Sequence, residues 1–215
     1  MEDNKNNIDE LKQGAKETYG ETKEALKNMN FEDELKATEG FLKEFLKNPF
    51  NGVVQAAEKR GNLILAIVLT IFWMFASGMA RFINFFRWSH VSFFSIFQMM
   101  FAPLIGIIVM SAIILVFNKN KNKNLTDILS IVVVTRIPLI VATILSLLTI
   151  FSSEATRLTS PISAFANGIS ILLLYVAMRT MSEEKDEGKY FMIFLVAYGV
   201  YFVARFIISF LGIHI

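Results

Sequence analysis

The chain has 215 residues, of which 54 % are hydrophobic and 19 % charged, where a soluble domain carries about 25 % charged residues. Residues 1–48 hold 8 Lys and 12 Asp or Glu, whereas the remaining 167 positions hold 13 basic and 7 acidic groups, so an arm of net −4 joins a body of net +6. This excludes an ordinary water-soluble globule, and the acidic arm argues against nucleic acid as a partner. The absence of Cys excludes disulfides, thiolate metal sites and a lipoprotein-type lipid anchor.

In chain order, residues 1–48 come first. Ile8, Leu11, Ala15, Tyr19, Thr22, Leu26 and Met29 recur at helical spacing, but Gly14 and Gly20 cost about 1 kcal/mol each relative to Ala. A partly helical, solvated tether is expected there. Phe31, Leu35, Leu42, Phe45 and Leu46, with Phe41 beside them, form a firmer stripe. It predicts an amphipathic helix lying on the membrane or on the bundle. Acidic neighbours such as Glu32, Asp33, Glu34, Glu39 and Glu44 disfavour anionic lipid and favour docking on the protein. Asn48-Pro49 is a helix start. A short helix from Pro49 to about Arg60 follows, with Phe50, Val53, Val54 and Ala57 inward, broken by Gly61-Asn62.

Five apolar stretches come next: Leu63–Ile83, Val91–Phe117, Ile128–Phe151, Leu158–Met178 and Tyr190–Leu211. Each reaches the roughly 20 residues that a helix needs to cross the hydrocarbon core. Backbone groups must pair internally there, and strand-like alternation is missing, so helices are predicted. The fold class is all-α: an integral membrane five-helix bundle (49–215) with an amphipathic helical N-terminal arm (1–48). Arg81–His90 reads as an interfacial turn inside a belt of Phe side chains. No apolar run precedes Leu63, so no cleavable signal peptide is expected.

Lys and Arg near the span ends set the orientation. Lys47, Lys59, Arg60, Lys119, Lys121, Lys123, Arg179, Lys185 and Lys189 lie on one side, and Arg81, Arg87 and Arg157 on the other. The N-terminus is placed in the cytoplasm. Five crossings then put the C-terminus outside, with no further domain expected after Leu211.

No catalytic constellation stands out: His90 and His214 are the two histidines, and no metalloprotease, nucleophile-elbow or phosphate-loop motif is present. No enzyme, cofactor or metal site is expected. Two charges interrupt spans. Arg136 lies well below the expected cytoplasmic interface, where a charge costs about 2.5–3.5 kcal/mol. Pro138 kinks the helix there and frees the Val134 carbonyl, which could accept from the guanidinium. Arg136 is either a contact for substrate, lipid or partner, or snorkels to cytoplasmic phosphates, the favoured reading. Arg205, near the outer end of span five, is expected to snorkel outward. Glu154 and Arg157 are expected to pair locally, and Asp127 to charge the start of span three. Asn167, with Thr135, Thr143, Ser146 and Thr149, completes the candidate intramembrane contacts. Ser160, Ala164 and Gly168, and likewise Ala102 and Gly106, recur every four residues. Such small faces let helices approach closely, within the bundle first, with a homo-oligomer as the competing use.

Three stretches resemble the Yip-one domain family of Ypt/Rab-interacting membrane proteins and their bacterial relatives. They are Phe41–Asn51 before span one, Asn122–Leu129 leading into Arg136–Ile140, and the polar loop Met181–Lys189 before an aromatic fifth span. The resemblance covers about Phe41 to Ile215. Arg136 replaces an expected small or aromatic residue, and the Asp-Leu-x-Gly-Pro motif of eukaryotic members is absent. The family implies prenylated Rab GTPases as partners in eukaryotes, a role not carried over without that motif. Frequent Lys, Asn and Ile suit a bacterial member in the plasma membrane. The expected function is a membrane scaffold or adaptor whose partners are lipids and a protein reached through residues 1–48. The alternative is a small transporter, channel or lipid-handling protein with a polar path around Arg136.

Overall fold

The structure, a computed structural model, describes residues 31–58, 63–87, 92–117, 123–147 and 153–210. The described residues form eight α-helices and no strand: α1 (Phe31–Lys47), α2 (Pro49–Glu58), α3 (Leu63–Arg87), α4 (Phe93–Phe117), α5 (Leu125–Thr135), α6 (Ile137–Leu147), α7 (Ser153–Met181) and α8 (Glu187–Phe210). Four of them contain segments long and apolar enough to cross a bilayer: Leu63–Ile83, Phe93–Phe117, Leu158–Met181 and Glu187–Ser209. The pair α5 and α6 qualifies together as a fifth, broken span, bent by 46°.

The first two helices pack as one unit. Asn48 caps α2 by accepting from the Asn51 backbone N–H at 3.2 Å through its side-chain oxygen, one of the four donors that a helix start leaves unpaired. Phe45 of α1 is 2 % exposed and sits with Val53 and Ala57 of α2 in the main core. A Cβ on Gly52 would lie 2.8 Å from Phe45 Cδ2, so glycine is what lets the two helices close. Phe50, expected inward, is exposed, as is Leu46. The buried side of α2 is Gly52, Val53 and Ala57. This face packs on α7 and α5, and Lys123 donates to the Glu58 carbonyl at 3.3 Å.

The third helix runs further than the sequence suggests. Helix continues through Arg87, so the Arg81–Arg87 part of the interfacial turn expected at Arg81–His90 is helical instead, and α4 begins at Phe93 rather than Val91. The reason is pairing across the hairpin. Arg81 Nε donates to Ser95 Oγ at 3.1 Å, and Phe85 packs edge-on against Phe93 with centroids 6.1 Å apart. These contacts hold polar and aromatic residues in helical form where composition alone reads as a loop. Close approach of α3 and α4 depends on Gly78, whose Cβ would meet Met100 Cβ at 3.3 Å.

At the start of α5, the Asn124 backbone N–H donates to the Asp127 carboxylate at 3.1 Å, and Asp127 lies in the first turn, favourable for an anion. The α5–α6 pair is the hub of the bundle: α5 touches α2, α3, α4 and α7, and α6 touches α3 and α7. Ile128, Ile131, Val132, Val133 and Val134 are fully or almost fully buried. The last helix is peripheral. Only 17 % of the apolar window of α8 is buried, and its main neighbour is α4. Residues 182–186 join α7 to α8, pinned by Arg179, which donates to Glu187 Oε1 at 2.6 Å and to the Glu184 carbonyl at 2.7 Å.

Several expectations lie outside the described residues: the thin helical face of residues 8–29, His90, Thr149 and His214, and the Glu154–Arg157 side-chain pair.

Candidate functional site: a cavity with two arginines

The bend between α5 and α6 is centred on Arg136. Pro138 has no N–H to give the Val134 carbonyl, and its ring disfavours a continuous helix. The expectation that the freed Val134 carbonyl could take the Arg136 guanidinium is corrected. The Arg136 backbone N–H turns to the Val133 and Val134 carbonyls and closes a tight last turn. The ladder resumes with the Ile140 N–H donating to the Arg136 carbonyl at 3.0 Å. The guanidinium is left to point elsewhere.

It points inward. Arg136 is 5 % exposed and lines a cavity of about 540 Å³. Its Cζ lies 5.8 Å from the Tyr201 ring centroid, near the range of a cation–π contact. Nη2 has no hydrogen-bond partner among the described residues. Arg136 is 11 residues past Leu125, about 16 Å along the helix pair at 1.5 Å per residue, near the middle of a core about 30 Å thick. Snorkelling, the favoured reading of the sequence, does not describe a side chain so buried within the bundle.

The cavity wall comes from five helices. Trp73 and Ser77 of α3, Gly106 of α4, Thr143 of α6, Asn167 of α7 and Arg205 of α8 all contribute. The structure therefore brings Arg136, Asn167 and Arg205 together, with Pro138 next to the lining residue Leu139. Arg205 is exposed but turned to the same space as Arg136. Thr143 is already committed. It accepts from Trp73 Nε1 at 3.1 Å and donates to the Leu139 carbonyl at 2.8 Å. Thr135 donates to Val132 O, and Ser146 to Thr143 O, and neither lines the cavity.

The small-residue faces divide. Ala102 and Gly106 of α4 line the cavity, where a Cβ on Gly106 would stand 3.5 Å from the Tyr201 hydroxyl. Ser160, Ala164 and Gly168 of α7 are exposed, and a Cβ on Gly168 would meet nothing within 4 Å. The tight crossing expected for that stripe inside the bundle is not formed, because α8 leans on α4 and scarcely touches α7. The contact between α7 and α8 is concentrated where Tyr175 meets Tyr190 and Phe194, with ring centroids 5.6 and 5.1 Å apart.

Sequence reasoning missed Trp73, Ser77 and Ser163 as cavity residues. A signal was available in the prolines. Pro103, inside α4, lines the cavity, Pro138 at the start of α6 precedes the lining residue Leu139, and Pro161, inside α7, lies two residues before the lining residue Ser163. Each removes one rung of a helix ladder.

No group of three or more His, Asp or Glu capable of holding a metal occurs among the described residues. Compared with known protein families, residues 43–210 match the Yip1 domain. No curated protein and no solved structure matches the chain. The matched stretch takes in α2 to α8 and the last five residues of α1, hence the whole cavity. With its several apolar helices, the chain belongs to the Yip1 domain family and is a multi-pass integral membrane protein.

Proposed function

We propose that the protein works by anchoring and interaction rather than catalysis: a membrane scaffold or adaptor that presents residues 1–48 to a protein partner. The observation that supports this is the α1–α2 unit. Phe45, Val53 and Ala57 are buried in the main core, and α2 is seated on α7 and α5. Phe45 and Val53 each contribute roughly 1.5–3 kcal/mol when removed from water. The C-terminal part of the arm is thus joined to the bundle through a packed element, which ties whatever the arm binds to that end of the bundle. The balance of Lys and Arg puts that surface in the cytoplasm, and a bacterial plasma membrane suits the composition.

The test is crosslinking and affinity capture from membranes, with the full chain, with a variant lacking residues 1–30, which keeps α1 and α2, and with one lacking residues 1–48. Loss of the captured partners on either deletion is the expected result. A set unchanged by both overturns the proposal. The cavity favours a second reading, in which the protein handles lipid or a small solute around Arg136.

A further inference from the structure

The cavity described above holds two cationic side chains and no carboxylate. Arg136, Arg205, Asn167, Ser77 and Tyr201 present donors to it, and its lining contains no Asp or Glu. Thr143 has its hydroxyl engaged in both directions. Among the described residues neither arginine forms an ion pair with a carboxylate. Two guanidinium groups facing one space repel each other, and in a low-dielectric setting that repulsion is little screened. A buried charged donor left without a partner, as Arg136 Nη2 is, is costly. An anion between the two relieves both costs at once. A cation would add to them.

The geometry points to a binding site for a phosphate-class anion, held between Arg136 and Arg205 and reached sideways through the gap between α7 and α8. Phosphate suits this donor set because a guanidinium can give it two parallel N–H bonds. The volume of about 540 Å³ lies within the usual range for small-molecule pockets. The sideways path follows from the helices. Beyond the Tyr175–Phe194 contact, α7 and α8 separate, leaving Ser163, Ala164 and Arg205 exposed at the mouth. Arg205 is 18 residues past Glu187, about 27 Å along α8, so the two cations run from mid-bilayer toward the interface distant from α1. A lipid phosphate can approach along that line with its chains left between the helices, and a free phosphate can enter from the same interface. This inference deepens the second reading above and does not depend on the arm; a failed capture experiment leaves it standing.

The test uses the full chain in a neutral maltoside detergent, titrated separately with phosphatidylglycerol, phosphatidylcholine and sodium phosphate. The readouts are the thermal unfolding midpoint and bound mass by native mass spectrometry. A midpoint that rises with phosphatidylglycerol, with phosphate, or with both is the expected result. A response to the lipid alone identifies a headgroup, and a response to phosphate alone a free anion. Arg205→Gln is expected to weaken the response at least about tenfold without lowering the ligand-free midpoint, because Arg205 is exposed and its loss relieves the repulsion from Arg136. Arg205→Lys restores part of it. Arg136→Gln abolishes it, and should that variant fail to fold, the Arg205 pair carries the test. No response to any of the three, or a response that Arg205→Gln leaves intact, overturns the site. So does a dimer through α7 that closes the mouth and disappears in Gly168→Leu.

Discussion

The two ends of the bundle belong to the same apolar spans and are differently built in space. At the end that carries α1 and α2, the core is dense: Val53, Ile131, Leu173 and Ala177 are completely buried, and Tyr190 and Met181 nearly so. At the other end α7 and α8 part, Phe165 and Phe206 face outward, and a cavity occupies the space between helices. Both ends satisfy a hydropathy criterion, because lipid tails solvate an apolar side chain about as well as another helix does. Apolar character in a membrane span therefore says that a residue avoids water. It does not say whether the residue meets protein.

That contrast can be broken or sharpened by substitution, with thermal unfolding in detergent as the readout. The largest effect is expected at the dense end. Phe45→Ala removes a buried aromatic side chain that joins α1 to α2, and should cost about 3–5 kcal/mol. Gly52→Ala comes next. Its Cβ would lie 2.8 Å from Phe45 Cδ2 and 3.2 Å from the Phe45 Cα, and overpacking of this kind costs about 1–3 kcal/mol. At the open end the Cβ of Gly168→Leu would meet nothing within 4 Å, Gly168 is exposed, and the variant should stay within about 0.5 kcal/mol of the parent. A loss comparable with that of Gly52→Ala would mean that α7 is covered after all. The smallest effect belongs to the exposed pair Glu39–Lys43, 2.6 Å apart. Lys43 holds the Glu39 carboxyl below its ordinary range. A depressed carboxyl stabilises above its unfolded pKa and loses that contribution as pH falls through the folded one. Lys43→Ala should thus leave the midpoint at neutral pH indistinguishable from the parent, since exposed pairs are heavily screened.

Much of the fold could be read from residue order. Asn48-Pro49 and Asp127 mark helix starts because caps act over three or four residues, a distance that sequence records directly. Arg136 followed by Pro138 marks the broken span for the same reason: both the charge and the missing N–H act locally. What sequence records poorly is direction around a helix axis. Depth along a span follows from counting residues, so Arg136 could be placed mid-bilayer; whether it faced lipid or the bundle depended on how α3, α4, α7 and α8 assemble. Its partnership with Arg205, 69 positions away, is likewise a property of assembly. The Ser160–Ala164–Gly168 stripe shows the converse error. Its spacing is suited to close packing, yet the neighbour that would use it leans on α4 instead. The Arg81–His90 segment was misread because its helix is secured by Ser95 and Phe93, which belong to the next element.

Trp73 is one of two tryptophans in the chain, and its indole N–H is tied to Thr143 beside the space that Arg136 faces. The chain thus carries its own optical gauge. Once Trp88 is replaced by Phe, the ultraviolet emission maximum belongs to a single chromophore, shifting to the red when water fills that chamber and to the blue when it dries. The state of a compartment buried inside a bilayer can then be followed in real time, with no dye attached.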